Sequence, residues 1–178
     1  MKKIVRRVLD YLPKFVSKSA EFLHFALTRP KQLSAKDDYR YTDERLKFLH
    51  LLECMNYIRV SRSSGLPQVF FEFGCHSGRT FSAAINASMY LNMSDAQFYA
   101  FDSFEGLPTT KTEEDGIFDT GSFCTSELDF LKIVKQNTGK KLGVDHLIKG
   151  FYCDSLTEDL KARMPKVGVV HIDVDLYS

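Results

Sequence analysis

The sequence predicts an α/β fold: a mostly parallel sheet of about four strands flanked by helices, preceded by an N-terminal helical extension. Three observations predict it. Short β-rich apolar runs each reach an acidic residue, at Glu72, Asp102 and Asp173. Helical periodicity fills the intervals between the runs, as the crossovers of a parallel sheet require. The first run passes through two glycines directly into a helical pattern, Val69-Phe70-Phe71-Glu72-Phe73-Gly74-Cys75-His76-Ser77-Gly78-Arg79-Thr80, which reads as strand, tight turn, helix. With 178 residues, 44% hydrophobic and 26% charged, the chain can build one well-cored domain and is too ordinary in composition to be disordered.

Residues 1–40 form an arm and connector. Ile4, Val5, Val8, Leu12, Phe15 and Val16 recur at near-helical spacing with Lys2, Lys3, Arg6, Arg7, Lys14 and Lys18 between them, a basic amphipathic helix bent at Pro13. Such an arm suits an anionic membrane surface, a partner subunit in a homo-oligomer, or the body of its own domain. A polar connector, Arg29 to Asp38, leads to residues 41–178, the main domain. Thr42 is placed to cap a helix running to Val60, with Leu46, Leu49, Leu52, Met55 and Ile58 as its apolar stripe. After the Val69 strand a helix over Thr80–Leu91 turns Phe81, Ala84, Ile85 and Met89 to one side, and a strand from Gln97 ends at Asp102. Glu105 to Cys124 is long and irregular, the pattern of a lid or binding loop. Ser126 with Asp129 is a capping-box pattern opening a helix to about Gln136 that turns Leu128, Leu131 and Val134 inward. A strand over Leu147–Tyr152, a helix capped by Ser155 with Glu158, and an almost wholly apolar strand over Val167–Leu176 complete the chain.

The charge is unevenly distributed. Residues 1–31 hold eight Lys/Arg against two acids, and the remainder sixteen against twenty-one. An acidic body with its basic surplus confined to the arm speaks against nucleic-acid binding. Cys54, Cys75, Cys124 and Cys153 have no paired C-x-x-C spacing and read as four reduced thiols of a cytoplasmic protein, neither a zinc site nor a disulfide frame. No apolar run reaches the length of a membrane span, and Lys14 and Lys18 interrupt the apolar core a signal peptide would need.

Two constellations carry chemistry. At the first turn, Gly74 and Gly78 let the backbone approach a ligand, and the following helix points free N–H groups at the same spot. Glu72 can accept from an amine or hydroxyl. The spacing is Glu-x-Gly-x-x-x-Gly, not Gly-x-Gly-x-x-Gly, which favours a smaller cationic adenosyl cofactor over a dinucleotide. Asp102, one βαβ unit further on, stands where such folds grip ribose hydroxyls. The second constellation is Asp173 and Asp175, two apart on a strand and therefore on one side of it. Two carboxylates at the end of an apolar strand call for a compensating cation or hydrogen bonds, and a divalent metal is the natural partner. His171 shares their parity but sits deeper, and reads as a satisfied core histidine.

Five segments resemble the macrocin O-methyltransferase (TylF-type) family of S-adenosylmethionine-dependent enzymes. They are Phe71-Glu72-Phe73-Gly74, Ala100-Phe101-Asp102-Ser103-Phe104-Glu105-Gly106-Leu107-Pro108, Gly121-Ser122-Phe123, Gly150-Phe151-Tyr152-Cys153-Asp154-Ser155-Leu156 and His171-Ile172-Asp173-Val174-Asp175-Leu176-Tyr177. The resemblance covers about Pro67 to Ser178 and implies a Rossmann-like class I methyltransferase acting on a hydroxyl of a sugar, in glycosylated natural products or polysaccharides. It implies that Glu72, Gly74 and Gly78 line the methionine side of S-adenosyl-L-methionine, that Asp102 holds its ribose, and that Ser103 lies beside the adenosine. It also implies that Asp173 binds a divalent cation, usually Mg2+, and that Asp175 is the general base. The family continues beyond this strand into an Asp-Asp-Tyr element with further metal ligands, so the chain is expected to be an N-terminal piece, inactive alone. Two other readings are a nicotinamide-dependent Rossmann oxidoreductase, which the missing third glycine and the lack of a Tyr/Lys pair disfavour, and a non-catalytic membrane-surface or binding module built on the arm.

Overall fold

The computed structural model describes residues 35–61, 65–108 and 120–174, with side chains from Asp43 onward. The basic arm, most of the irregular loop and Asp175 lie outside the described residues.

In chain order the elements are α1 (Ala35–Val60), β1 (Val69–Phe73), α2 (Arg79–Tyr90), β2 (Gln97–Asp102), α3 (Glu127–Thr138), a 3-10 turn (Val144–His146), β3 (Leu147–Lys149), α4 (Tyr152–Ser155), α5 (Glu158–Arg163) and β4 (Val169–Ile172). The four strands pair in parallel in the order β3-β2-β1-β4. From β1 the chain moves outward through β2 and β3, then returns past them to place β4 on the other side of β1. The direction therefore reverses between β1 and β4, and ligands of open parallel sheets bind outside the strand ends at such a reversal.

Alternation along the strands divides the core in two. Phe70, Phe98 and Ala100 face α1, α2 and α3, packing with Phe48, Met55, Ile58, Phe81, Ile85 and Phe130, all but fully buried. Phe81 is the centre of this layer, edge-on to Phe70, Phe98 and Phe130 at ring separations of 6.3, 6.1 and 5.3 Å. On the other face Val69, Phe71 and Phe101 pack with Tyr152, Leu160 and Met164 from the α4 and α5 region.

Several boundaries and faces differ from expectation. The connector does not extend to Asp38: α1 begins at Ala35 and runs uninterrupted through Thr42, which is therefore helix interior and not a cap. Its buried stripe is Phe48, Leu51, Met55 and Ile58, with Leu46 turned to solvent. In α3, Ser126 caps as expected, its hydroxyl accepting from the Asp129 N–H at 3.2 Å. Leu128, however, is 76% exposed and Phe130 takes the inward position. β3 ends at Lys149, not Tyr152, because Gly150 turns the chain into α4. The cap of the next helix is Thr157, not Ser155; the Thr157 hydroxyl accepts from the Leu160 N–H at 3.1 Å. β4 is half-exposed where a buried strand was expected. Val170 and Ile172, beside Phe71 and Phe73, are 46% and 67% exposed, so the face of β4 that they form is open among the described residues, while Val169 on the other face packs against the main core.

Candidate functional site

The C-terminal ends of β1, β2 and β4 open into a cavity of about 840 Å³, within the range of small-ligand and cofactor sites. Glu72, Gly74, Asp102, Ser103 and Asp173 all line it. These residues come from three strands and are brought together by register: Glu72 lies opposite Ala100 on β2 and His171 on β4, so the residues just beyond the strands converge. Gly78 does not line the cavity, and Asp175 lies outside the described residues.

The turn after β1 is held by the carboxylate at the end of β2. Asp102 Oδ2 accepts from the backbone N–H groups of Cys75 at 2.7 Å and His76 at 3.0 Å, while Oδ1 accepts from Phe104 N–H at 2.8 Å. A single side chain thus fixes both the glycine turn and the start of the next loop. His76 sits at φ 41°, an uncommon conformation for a non-glycine residue. Its backbone bond to Asp102 and its ring nitrogen Nδ1, 2.9 Å from the Phe123 carbonyl oxygen, hold it there.

The two glycines serve packing as well as backbone freedom. Gly74 has φ +81°, and a Cβ there would collide with the Asp173 carbonyl of the adjacent strand end. At Gly78, φ +67°, a Cβ would lie 2.8 Å from the Phe130 ring of α3. The room these residues leave is taken by the protein itself, so their value to a ligand is indirect: they let β4 and α3 close against the turn.

Burial dominates the electrostatics. Glu72 is 1% exposed, and burial, followed by the nearby Asp173 and Asp102 carboxylates, pushes its carboxyl well above the usual carboxylate range; Lys47 and the Phe81 backbone N–H oppose this. Glu72 Oε2 has no hydrogen-bond partner. His171, its neighbour on β4, is held below the usual imidazole range mainly by burial, and its buried Nε2 is also unpartnered. It is therefore not the satisfied core histidine expected. Burial likewise raises the Cys75 thiol, which points at the Glu72 carbonyl 3.3 Å away and is a packing group, not a nucleophile. Tyr152, on the cavity wall, is raised mainly by burial, and its hydroxyl donates to the Phe101 carbonyl at 3.5 Å.

The two segments flanking the irregular loop are joined at its base. Leu107 N–H donates to the Ser122 carbonyl and Gly121 N–H to the Leu107 carbonyl, both at 2.9 Å. Gly106, at φ +85°, passes so close to Gly121 and Ser122 that no side chain fits. Ser103 Oγ donates to the Gly106 carbonyl at 2.9 Å and accepts from Glu105 N–H. Ser103 thus builds the loop base while lining the cavity.

The described residues do not fit a metal centre: among them no three His, Cys, Asp or Glu side chains come together to hold an ion. Asp173 supplies one carboxylate, which is not a ligand set. The four cysteines are all free. No described helix is long and apolar enough to cross a membrane.

Sequence reasoning missed the contribution of α1 and α2. Glu44 and Lys47 from α1, and Arg79, Thr80, Ser82 and Asn86 from α2, also line the cavity. A signal was available: no charged residue occurs from Thr80 to Ser94, which a solvated helix face would carry. Accordingly every residue from Phe81 to Ser88 is buried.

The family model described as macrocin-O-methyltransferase (TylF) matches residues 40–178. No curated protein matches the chain. Among solved structures, a crystal structure of a calicheamicin methyltransferase is similar at a TM-score of 0.52 and 16% identity, over 93% of this chain and 69% of that one, a likeness of fold.

Proposed function

Because the chain belongs to the macrocin-O-methyltransferase (TylF) family and is thereby an S-adenosylmethionine-dependent methyltransferase, we propose that it methylates a hydroxyl of a sugar, in a glycosylated natural product or a polysaccharide. The acceptor oxygen attacks the sulfonium methyl. The O–C bond forms as the C–S bond breaks, S-adenosylhomocysteine leaves, and the hydroxyl proton passes to a base. We assign the methionine part of the donor to the turn at Glu72 and Gly74, its ribose to Asp102, and its adenosine to the side of Ser103. Asp102 has capacity for this, since Oδ1 accepts one backbone bond and can accept a second. The base is assigned to Asp175, two residues beyond Asp173 in the sequence and outside the described residues. A Mg2+ or other divalent cation at Asp173 belongs to the proposal, but the described residues give it no complete ligand set and no step is routed through it.

The observation that carries the reading is the convergence of Glu72, Gly74, Asp102 and Asp173 on one cavity at the sheet's reversal point. Aligning donor and acceptor there supplies much of the acceleration. The test is to incubate the protein, together with any sequence that follows Ser178, with methyl-labelled donor and a panel of glycosides. Equal amounts of labelled methyl ether and S-adenosylhomocysteine are expected; label appearing on nitrogen or carbon acceptors instead would overturn the assignment to a hydroxyl.

A further inference from the structure

The cavity carries a second pair of residues that the donor assignments leave unused. His76, from the turn after β1, and Phe123, from the segment that follows the irregular loop, both line it. Both are non-glycine residues in the left-handed backbone region, at φ 41° and 59°. Glycine takes such a conformation with least strain, so a side chain held there against the backbone preference is held for what it does. The two residues fix each other: His76 Nδ1 lies 2.9 Å from the Phe123 carbonyl oxygen, and the rings meet edge to face at 5.3 Å and 78°. A carbonyl oxygen only accepts, so Nδ1 carries the ring hydrogen and donates, which leaves Nε2 of the neutral ring as an acceptor. His76 is exposed and Phe123 is 43% exposed, whereas Glu72 at the strand end is buried. The pair therefore stands nearer the mouth, where a bulky acceptor enters.

The chemistry of this wall selects its ligand. Leu107, Pro108 and Phe151 line the cavity as Phe123 does, and among the described residues the only Lys or Arg side chains on it are Lys47 and Arg79, carried by α1 and α2. An apolar and aromatic wall with one nitrogen acceptor suits an uncharged sugar ring. The C–H bonds on one face of a pyranose are weakly positive and pack on the negative face of an aromatic ring, while its hydroxyls donate from the edge. A nucleotide sugar would bring a diphosphate, which calls for cations beside it. Resting on the sugar-hydroxyl reading above, we propose that His76 and Phe123 form the acceptor subsite: an uncharged pyranose packs on the Phe123 ring and one of its hydroxyls donates to His76 Nε2. Both are then binding residues. The bond from Nδ1 sets the tautomer, and the contact between the rings sets the angle at which the two groups meet the sugar.

The experiment measures methyl transfer by the protein, together with any sequence that follows Ser178, to a panel of methyl pyranosides and to a nucleoside-diphosphate sugar. The dissociation constant for S-adenosylhomocysteine is measured on the same samples. Wild type should prefer its best methyl pyranoside to the nucleotide sugar by about tenfold or more in kcat/KM. Phe123→Leu and His76→Asn should each raise KM for that pyranoside by about tenfold, with kcat changed less and S-adenosylhomocysteine binding unchanged. Asparagine accepts the left-handed backbone, so His76→Asn keeps the turn. Phe123→Tyr keeps the ring and should stay within about twofold of wild type. Unchanged KM in Phe123→Leu and His76→Asn, or equal losses for pyranoside and S-adenosylhomocysteine, overturns the subsite and leaves the methyltransferase reading standing. A wild-type preference for the nucleotide sugar overturns the uncharged acceptor. Wild type that binds S-adenosylhomocysteine but methylates no sugar overturns the sugar-hydroxyl reading on which the subsite rests.

Discussion

Replacing Asp102 by Ala removes one side chain and three hydrogen bonds, to the backbone N–H groups of Cys75, His76 and Phe104 at 2.7, 3.0 and 2.8 Å. A hydrogen bond to a charged group is worth about 1.5–3 kcal/mol net. The bond from His76 is exposed and its N–H can turn to water, whereas those from Cys75 and Phe104 are partly buried. Discounting the two partly buried bonds by about a third for solvent screening and counting the exposed one little gives a loss of about 2–4 kcal/mol. For a chain of this size that lowers the thermal midpoint by about 5–15 °C. Asp102→Asn should lose about half as much, because its remaining oxygen can serve Cys75 and His76 while its amide faces the Phe104 N–H as a second donor. Calorimetry reads the stability, and titration of the same samples with S-adenosylhomocysteine reads the ligand role, where the loss should be about one to three decades. An unchanged thermal midpoint in Asp102→Ala would refute the clamp. Unchanged affinity with a lowered midpoint would refute the ribose contact.

Gly74→Ala should destabilise by more than about 1 kcal/mol, since the new Cβ meets both a φ of +81° and the Asp173 carbonyl; urea unfolding checks it, and a neutral result would remove the packing role of this glycine. Glu72 has its folded pKa raised by burial, so its contribution is fully present below the ordinary carboxylate pKa and is lost as pH rises through the folded value. Glu72→Gln should therefore raise the thermal midpoint at neutral pH relative to wild type and flatten its fall with pH; the opposite order at neutral pH would show that Glu72 is stabilised in its charged form. Ser126→Ala should cost about 1 kcal/mol through loss of the α3 cap, measured by urea unfolding, and a change near zero would show that the 3.2 Å bond contributes nothing.

The fold was legible where local chemistry and tertiary packing agree. β1 and β2 start and stop where the apolar runs do, and Ser126 and Gly139 close α3 as capping rules require. It was illegible where a tertiary contact decides. Leu128 and Phe130 are both apolar and two residues apart, and only the Phe81 and Phe104 rings, 5.3 and 5.5 Å from Phe130, settle which turns inward. Thr42 resembles a cap, but α1 runs through it. At the site, Glu72, Gly74, Asp102, Ser103 and Asp173 are visible because each ends a strand or follows one, and parallel register does the rest. Gly78 shares the motif, yet its missing side chain answers to Phe130, a residue 52 positions later whose approach no local pattern records. Ser82 and Asn86 were passed over because they lie between the apolar positions of α2, and such positions normally face water.

Titration calorimetry of the full chain with S-adenosylhomocysteine and with NAD tests most directly that the cavity at the sheet's reversal point is a methyl-donor site. S-adenosylhomocysteine should bind at one site per chain, with affinity reduced in Asp102→Ala, and NAD should give no saturable heat. Saturable binding of NAD with none of S-adenosylhomocysteine would contradict the account.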